Sequence, residues 1–238
     1  MILETGYNSS FEIRHEQYSI SSGVNFTVLY LSDFHFNKFS APVTQKIITT
    51  VNELRPDIIL LGGDYVDTKK GLVYLNILLQ SFAQHKNVFA VAGNHDYYFG
   101  LNKIKETMTS NAINWIEKDT IRFKLNNHSI QIDGNKPCIK KSDADFAILC
   151  LHKPINIKNF ASNYHLSFAG HLHGGQFVFW QTSKGLYPGK LFYKWNILKA
   201  TIAGCAYFIS KGLGDTLPVR FNCPKDMIFV QVNNNTLL

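Results

Sequence analysis

The hydrophobic residues of this 238-residue chain follow two different patterns, which change at about residue 111. Before that point, short continuous apolar runs alternate with stretches in which apolar residues recur at helical spacing. This alternation predicts buried strands separated by amphipathic helices, and therefore a layered α/β core. The predicted strands are 26–31, 58–61 and 88–92, and the predicted helices are 42–54, 72–84 and 101–108.

Beyond residue 111 the pattern is typical of β-structure. The first three strands there are predicted to be antiparallel, with the last two joined by a tight turn at Asn126-Asn127. Two packed sheets with helices outside them would accommodate all of these elements, and we expect a single domain over residues 1–238. The predicted strands are 113–116, 121–125, 128–133, 146–151, 165–169, 207–210 and 227–232, with an edge strand at 11–20.

The composition indicates a folded protein, and its positive charge either favours acidic partners or, spread over the surface, only aids solubility. Hydrophobic residues make up 45% of the chain and charged residues 17%, which indicates a large core and argues against disorder. The formal net charge of +7 favours phosphate-rich partners such as nucleotides, an anionic membrane surface or nucleic acid. The lysines are scattered and form no basic run, so nucleic acid is the least expected of the three.

Neither a signal peptide nor a membrane-spanning apolar run is evident in the sequence, which predicts a cytoplasmic protein, either free or peripheral at the inner face of the membrane. The cysteines contain no Cys-x-x-Cys pair, so we expect free thiols in a reducing compartment. Cys150 would share a strand face with His152, so its side chain either packs in the core or lies near the metal site. The four cysteines are Cys138, Cys150, Cys205 and Cys223.

Five short polar blocks run in order along the chain, and each follows an apolar run. Taken singly, such blocks occur often by chance. As an ordered set at strand ends, they predict oxygen and imidazole ligands that meet in one crevice, as in a two-metal phosphoesterase. The blocks are Asp33-Phe34-His35, Gly63-Asp64, Gly93-Asn94-His95-Asp96, Leu151-His152 and Gly170-His171-Leu172-His173.

The residue types suit a site for two ions. Asp64 follows two glycines, which let the backbone approach an ion, and it is the candidate for a carboxylate that bridges both. Asn94 would supply a neutral amide oxygen. Ligation by oxygen and nitrogen without thiolate favours manganese first, with iron and zinc as alternatives. The candidate metal ligands are Asp33, His35, Asp64, Asn94, His152, His171 and His173.

His95 and Asp96 are the candidate catalytic residues. A histidine beside a dinuclear site can protonate a leaving oxygen or stabilise phosphoryl charge, and Asp96 could orient it. Asn94 and His95 are also expected to contact substrate. The alternative is a polar turn without chemistry. The remaining histidines are expected at the surface, except His165, which should be a hydrogen-bonded residue at the edge of the core.

The five blocks resemble, in order and spacing, the motifs of the calcineurin-like metallophosphoesterases, and the resemblance covers residues 26–232. The segment Gly170-His-Leu-His-Gly-Gly-Gln176 is similar to a subgroup that includes a UDP-2,3-diacylglucosamine pyrophosphatase of lipid A synthesis. The segments 210–214, 218–220 and Pro224 resemble the same subgroup, although Lys225-Asp226 stands where it has glutamate and a hydrophobic residue. This resemblance implies a four-layer α-β-β-α sandwich of two mixed sheets with flanking helices.

The resemblance also implies how the residues divide between the ions. One metal would bind Asp33, His35, Asp64 and His173, and the other would bind Asp64, Asn94, His152 and His171. His95 would be the catalytic imidazole. All eight positions match, which argues against an inactive homologue.

Three functions are considered on this basis. The first is a hydrolase of phosphate esters or pyrophosphates, whose substrate is a phosphorylated small molecule or a lipid-linked compound. The second is a nuclease or phosphodiesterase acting on nucleic acid or nucleotides, and the third is a noncatalytic scaffold. No obligate protein partner is evident. The aromatic and lysine-rich segment 177–195 either borders the mouth of the site, where it could hold an acyl chain, or packs its aromatic residues into the core.

Overall fold

Two six-stranded mixed sheets lie face to face in the computed structural model, which describes residues 1–234. The strands are β1 (Leu3–Thr5), β2 (Glu12–Ile20), β3 (Phe26–Leu31), β4 (Ile58–Leu61), β5 (Val88–Ala90), β6 (Asn114–Trp115), β7 (Thr120–Leu125), β8 (His128–Gly134), β9 (Phe146–Cys150), β10 (Leu166–Ala169), β11 (Val178–Thr182), β12 (Gly185–Pro188), β13 (Lys199–Ile202), β14 (Cys205–Ile209), β15 (Val219–Phe221) and β16 (Asp226–Asn234). The helices are α1 (Ala41–Leu54), α2 (Lys69–Ser81), α3 (Asn94–Phe99), α4 (Leu101–Ser110) and α5 (Gly189–Phe192).

The first sheet has the strand order β2-β16-β3-β4-β5-β6, and the second has the order β13-β14-β10-β9-β8-β7. Strands β3 to β6 are parallel to one another, and so are β8, β9, β10 and β14. Each sheet also contains antiparallel pairs, namely β16 with β3, β13 with β14, and β7 with β8. Two pairs of short strands, β1 with β15 and β11 with β12, lie outside these sheets.

Alternation along the buried strands distributes the core between layers. Successive side chains of a strand point to opposite faces. Leu29 and Leu31 of β3 belong to the cluster that packs under α1, α2 and α4, whereas Val28 and Tyr30 belong to the cluster between the sheets. Both faces are covered, which is why β3 is a continuous apolar run rather than an alternating one.

The outer face of the second sheet forms a further cluster under the segment that follows β9. Ile157, Ala161 and Tyr164 of that segment are buried there, and a 3-10 turn spans Ala161–Asn163. The predicted four layers are therefore present, and this fourth layer is largely irregular rather than helical. Trp195 also packs against it.

Several predicted elements differ in detail from the structure. The strand predicted at 113–116 is β6, which pairs parallel with β5 in the first sheet, so the prediction that it belongs to an antiparallel group is wrong. The helix predicted at 72–84 begins earlier, because the Thr68 side chain accepts a hydrogen bond from the Gly71 amide and caps α2. The predicted edge strand is confirmed as β2. In the described part of the chain, no helix has the length and apolarity needed to cross a membrane.

Candidate metal centre

The five polar blocks follow five strands that end at one shared edge of the two sheets. In the first sheet, Asp33 follows β3, Asp64 follows β4 and Asn94 follows β5. In the second sheet, His152 follows β9 and His171 follows β10. Because the strands within each parallel set end at the same edge, their side chains converge in a crevice there.

The backbone is in a left-handed conformation at several of these positions. Such a conformation costs a residue other than glycine roughly 1–2 kcal/mol. Hydrogen bonds between the blocks hold it in place: the Asp33 amide donates to the Gly63 carbonyl at 2.9 Å, and the His35 amide donates to the Asp64 carbonyl at 3.0 Å. Strain of this kind gathers at functional sites. The positive φ angles are 53° at Asp33, 45° at His35, 55° at Asp64, 72° at His171 and 50° at His173.

Asp33, His35 and His173 form a first cluster, in which the potential ligand atoms lie within 4.8 Å of one another. His173 Nε2 is 3.8 Å from Asp33 Oδ1. His35 Nδ1 lies 2.8 Å from Asp67 Oδ1, and because a carboxylate only accepts, Nδ1 carries the hydrogen. In the neutral ring the lone pair is then on His35 Nε2, and this nitrogen is buried without a hydrogen-bond partner in the described structure.

Asn94, His152 and His171 form a second cluster around one nitrogen, His152 Nε2. His152 Nδ1 donates to the Gly62 carbonyl at 2.8 Å, so Nε2 of the neutral ring has no hydrogen to donate. This nitrogen nevertheless lies 2.9 Å from Asn94 Oδ1 and 3.2 Å from His171 Nδ1. The two acceptors His152 Nε2 and Asn94 Oδ1 have thus been brought together without a proton between them, and a cation stabilises such an arrangement.

Asp64 lies between the two clusters. Its Oδ2 is 3.4 Å from His152 Nε2 and 3.7 Å from His35 Nε2. Its Oδ1 accepts the His95 backbone N–H at 2.7 Å. A Cβ on Gly93 would lie 2.1 Å from this oxygen, so the loop can approach the carboxylate only because residue 93 is glycine. The geometry is that of a carboxylate shared by two groups of ligands.

His95 lies beside the first cluster with its side chain 39% exposed. Its ring centroid is 4.6 Å from that of His35. Its Nδ1 is 3.2 Å from Asp67 Oδ1, the same oxygen that accepts from His35. Burial acts to raise the pKa of Asp67, but the hydrogen bonds and charges of the two histidines outweigh it and lower that pKa. Asp67 is therefore an ionised acceptor shared by both rings.

The prediction that Asp96 orients His95 is wrong. The buried Asp96 carboxylate accepts backbone N–H groups from Asp64 at 2.9 Å, Tyr65 at 2.9 Å and Gly93 at 2.7 Å. Burial raises the pKa of Asp96 to about 7, against the lowering effect of these hydrogen bonds. Asp96 therefore fixes the turns that carry Asp64 and Asn94. The carboxylate beside the His95 imidazole is that of Asp67 and not, as predicted, that of Asp96.

A buried arginine supports the turn against which His173 packs. Arg220 is 2% exposed, and its Nε donates to Asp215 Oδ1 at 2.6 Å. Its Nη2 donates to the carbonyls of Gly214 at 2.7 Å and Lys211 at 3.0 Å, and lies 3.4 Å from His173 Nδ1. The guanidinium thus cross-links the loop that follows β14 and holds it behind the first cluster.

The two residues that depart from the subgroup, Lys225 and Asp226, belong to the same buried network. Lys225 Nζ is 3.2 Å from Asp215 Oδ2. Asp226 Oδ1 accepts from Ser210 Oγ at 2.7 Å, and its Oδ2 accepts from Arg14 Nη1 at 3.0 Å. These contacts hold the loop after β14 in place, so the departure leaves the site supported.

Burial also favours the neutral form of two candidate imidazoles. It lowers the pKa of His171 to about 4, with repulsion from His152 adding to the effect. Burial likewise lowers the pKa of His173 well below its ordinary value. Neutral imidazole is the form that binds metal ions. In the opposite direction, burial raises the pKa of Asp33, and the nearby Asp64 carboxylate also raises it.

An open crevice of about 360 Å³ lies over both clusters. Side chains of the site line one part of it, and Tyr193 and Leu217 line another. Of the segment 177–195, Tyr193 lines the crevice, so the segment reaches the mouth at this residue. The alternative interpretation is that the aromatic residues enter the core. It holds for Trp195, whose ring centroid lies 5.4 Å from that of Tyr207. It is wrong for Trp180, which is 50% exposed.

The calcineurin-like phosphoesterase model matches residues 26–175, which is more than half of the chain. The match begins at β3 and ends just beyond His173. The chain belongs to the calcineurin-like phosphoesterase family. Members of this family are dinuclear-metal-dependent hydrolases of phosphoester bonds, and the described residues include His and Asp groups that could hold metal ions.

Relatives of this calcineurin-like phosphoesterase cover most of its length. An uncharacterized metallophosphoesterase of Aquifex aeolicus is 26% identical over an alignment of 257 positions, gaps included, which covers 94% of this chain and 93% of that protein. Phosphodiesterase YaeI of Escherichia coli is 27% identical over an alignment of 229 positions, gaps included, which covers 87% of this chain and 82% of that protein. These relatives support the family and do not reach the narrower resemblance to a UDP-2,3-diacylglucosamine pyrophosphatase.

Solved structures share the fold. A 5′-nucleotidase precursor from Thermus thermophilus superposes with a TM-score of 0.51 at 10% identity, over 80% of this chain and 50% of that one. A putative 5′-nucleotidase from Staphylococcus aureus also gives a TM-score of 0.51, at 12% identity over 90% of this chain and 56% of that one. At such low identity the similarity shows the fold alone.

Sequence reasoning missed three residues that act around the clusters. Asp67 follows Asp64 by three residues, and this carboxylate spacing was a usable signal. Asn135 directly follows β8, so the strand-end argument would have found it; its side chain accepts from the His152 amide at 2.8 Å and donates to the Ala92 carbonyl at 2.8 Å. Nothing in the sequence next to Arg220 indicates the contacts that its side chain makes.

Proposed function

We propose that this phosphoesterase holds two divalent ions in the clusters described above and hydrolyses phosphodiesters. Asp33, His35 and His173 would bind one ion, and the three residues of the second cluster would bind the other, with Asp64 common to both. The position of Asp64 Oδ2 carries the proposal, since it is within 3.7 Å of an imidazole nitrogen from each cluster.

The donor atoms fit a pair of cations. His35 Nε2 is buried without a hydrogen-bond partner, and the cost of burying such an atom disappears when the neutral ring binds an ion. His35 and His152 are each fixed through the opposite nitrogen, by Asp67 and by the Gly62 carbonyl. This arrangement orients metal-binding histidines in proteins generally. Manganese remains the first choice for this donor set, with iron and zinc as alternatives.

The protein's own groups would place and move protons around the substrate. When bound, the ions would lower the pKa of a water molecule and offset the charge of the phosphoryl oxygens. His95 is at the edge of the crevice, where its ring can donate a proton to the leaving oxygen. Asp67 accepts from His95 Nδ1, which leaves Nε2 to carry that proton and stabilises the charged ring.

The substrate class is proposed from the crevice and from one relative. Phosphodiesterase YaeI supports a phosphodiester, and an open crevice admits a substituent on both sides of the phosphorus. A lipid-linked phosphodiester or pyrophosphate is the narrower form of this proposal, supported by Tyr193 and Leu217 in the lining of the crevice. A nuclease has the basic charge as its support, and a noncatalytic scaffold has none in this geometry.

The test is a metal-loaded hydrolysis assay with bis(p-nitrophenyl) phosphate and an alkyl phosphodiester. We expect two ions per chain by elemental analysis and turnover of both substrates. His95→Asn should keep both ions and lose about 10²–10⁴-fold in turnover of the alkyl ester. Its loss on the aryl ester should be smaller, because that leaving group needs less protonation. Tyr98→Phe, an exposed neighbour on α3, serves as the control.

A chain that holds two ions yet cleaves neither ester would support the scaffold instead. A chain that holds at most one ion after loading would contradict the shared carboxylate.

A further inference from the structure

The positive charge of the chain is concentrated in one segment. Residues 146–214 contain seven lysines and no arginine, aspartate or glutamate. The remaining residues contain 17 basic and 17 acidic side chains, so the whole net charge of +7 belongs to these 69 residues. Two of the lysines are neutralised by contacts elsewhere, Lys199 with Glu16 and Lys211 with Glu12. The surplus of charge therefore lies in the segment that also contributes His152, His171 and His173 to the two clusters.

The same segment carries exposed apolar side chains. The aromatic hairpin, which we define as residues 178–193, consists of β11, β12 and α5. Aliphatic and aromatic groups of this size are normally covered, and several together on one surface mark an interaction site. The exposed fractions are 61% for Phe179, 50% for Trp180, 69% for Leu191, 78% for Phe192 and 56% for Tyr193.

The aromatic hairpin is fixed to the metal-site turn. The side chain of Asn196, which is 1% exposed, donates to the carbonyls of Gly174 at 3.2 Å and Leu186 at 2.9 Å. Within the hairpin, a Cβ on Gly185 would lie 2.7 Å from Lys190 Cδ, so α5 lies against the turn between β11 and β12. The hairpin that carries the exposed groups is therefore held at a set position beside the crevice, which Tyr193 lines.

Lysines surround these apolar groups. Lys184 and Lys194 are exposed, and within residues 1–234 no carboxylate pairs with either of them. The Lys194 ammonium lies 5.6 Å from the centre of the Trp195 ring. Aromatic and aliphatic groups flanked by lysines, without any acidic residue, are complementary to a partner whose outer layer is anionic and whose interior is apolar.

We propose that the aromatic hairpin docks on an anionic lipid surface, so that the crevice opens at that surface. The apolar groups would enter the boundary between head groups and acyl chains, while the lysines would contact anionic head groups. Nucleic acid fits less well, because Leu191 has no ring to stack on a base and is among the most exposed groups. What docking contributes to catalysis rests on the proposed function, whereas docking itself does not.

The experiment is sedimentation of the metal-loaded chain with phosphatidylcholine vesicles that contain or lack 30 mol% phosphatidylglycerol, taking ~0.15 M salt as the physiological condition. We expect binding to the anionic vesicles only, with a blue shift of the Trp180 emission that Trp180→Phe removes. Leu191→Ser/Phe192→Ser and Lys184→Glu/Lys194→Glu should each weaken binding at least about tenfold, because either the apolar or the charge contribution is lost.

Matched controls make the same chemical changes elsewhere. Lys103→Glu/Lys105→Glu alters two exposed lysines of α4, and Ile139→Ser removes an exposed apolar group outside the hairpin. Both should bind vesicles as the unchanged chain does. Hydrolysis of bis(p-nitrophenyl) phosphate without vesicles should be equal in all variants, which separates a failure of docking from a failure of the proposed chemistry.

Three outcomes would overturn the proposal. The first is the absence of binding to anionic vesicles, and the second is binding that the hairpin variants leave unchanged. The third is a different occupant of the hairpin. It would appear either as single-stranded DNA binding that the lysine pair controls and the Leu191/Phe192 pair does not, or as a dimer of this chain that Leu191→Ser/Phe192→Ser dissociates.

Discussion

The two ligand clusters are built from similar residues and held in different ways. In the first cluster Asp33, His35 and His173 are at most 6% exposed, while in the second Asn94 and His171 are only half-buried. Charged side chains lie behind the first cluster, through Asp67 and the Arg220 network. The second is held mainly by backbone and amide groups, as at the Gly62 carbonyl.

Because of this difference, we expect the first cluster to retain its ion and the second to remain accessible to solvent and substrate. A cluster enclosed by charged and fully bonded neighbours holds its geometry without a ligand, so an ion there should be retained. A cluster that is half-open to the crevice can exchange ligands with solvent and substrate. We therefore expect the first ion to bind tightly and the second to exchange faster, and the predictions below test this contrast.

The largest effect is expected for Asp64→Ala, because this change removes the one carboxylate common to both clusters and so affects the tight and the exchanging site alike. Metal content should fall for both ions, and turnover should fall on the order of a thousandfold, about 4 kcal/mol of transition-state stabilisation. Elemental analysis and phosphodiester assays measure the two effects. Asp57→Ala changes the same residue type at the other end of β4 and should keep both ions. Normal metal content in Asp64→Ala would remove the bridge assignment.

Arg220→Met should break the support of the first cluster. The change leaves Asp215 with one buried partner instead of two, and breaking a buried ion pair costs about 3–5 kcal/mol. We expect this loss in the free energy of unfolding from denaturant titration, together with weaker binding of the tighter ion. Arg122→Met serves as the control, because its partner Asp143 is 82% exposed and the pair is worth about 1 kcal/mol or less. Equal losses in the two variants would show that Arg220 is no more important than a surface residue.

Asp67→Asn should weaken both metal binding by the first cluster and proton donation by His95. The amide oxygen can still accept hydrogen bonds but carries no negative charge to support the two imidazoles, and loss of such a partner typically reduces metal affinity about 10–100-fold. Calorimetric titration of the metal-free chain should show one site weakened and the other close to normal. If both sites weaken equally, the clusters are not independently supported. If neither weakens, the contact between Asp67 and His35 has no function in metal binding.

The smallest effect concerns the scaffold away from both clusters. Burial lowers the pKa of His165, which accepts a hydrogen bond from the Ala147 amide at 3.0 Å and stacks on Phe146. With the folded pKa below the unfolded value of about 6.5, the unfolded state takes up the proton first. The free energy of unfolding should therefore fall as the pH falls through about 6.5, and should stop falling below the folded pKa.

His165→Gln should lose part of this pH dependence in metal-free protein, measured by denaturant titration at several pH values. His15→Gln, on the edge strand, is the control. An unchanged profile in His165→Gln would show that His165 contributes nothing to the pH dependence.

Sequence patterns predicted the sheets and the candidate ligands because both depend on local signals. A buried strand must be apolar on both faces, and Asp33 or His152 can be found by its place directly after one. The parallel pairing of β6 was missed, since a strand of two residues has too few positions to show which neighbour it joins.

The supporting residues were harder to predict because their contacts depend on tertiary structure. Asp96 is next to His95 in sequence, yet its carboxylate turns back to the amides of the preceding turns. Arg220 reaches Gly214 and His173 only after the loop behind β14 has folded over the first cluster. Neighbours in sequence are thus a poor guide to what orients a catalytic side chain.

The distance along the chain between the ligands has a consequence for folding. The His171 amide donates to Asp33 at 2.9 Å although the two residues are 138 positions apart. Contacts of such long range form slowly, because the intervening loop must be closed first. The first cluster thus cannot exist before both sheets have assembled, and an ion cannot nucleate folding there. During refolding, metal uptake should lag behind the recovery of strand structure and so report the last step of assembly.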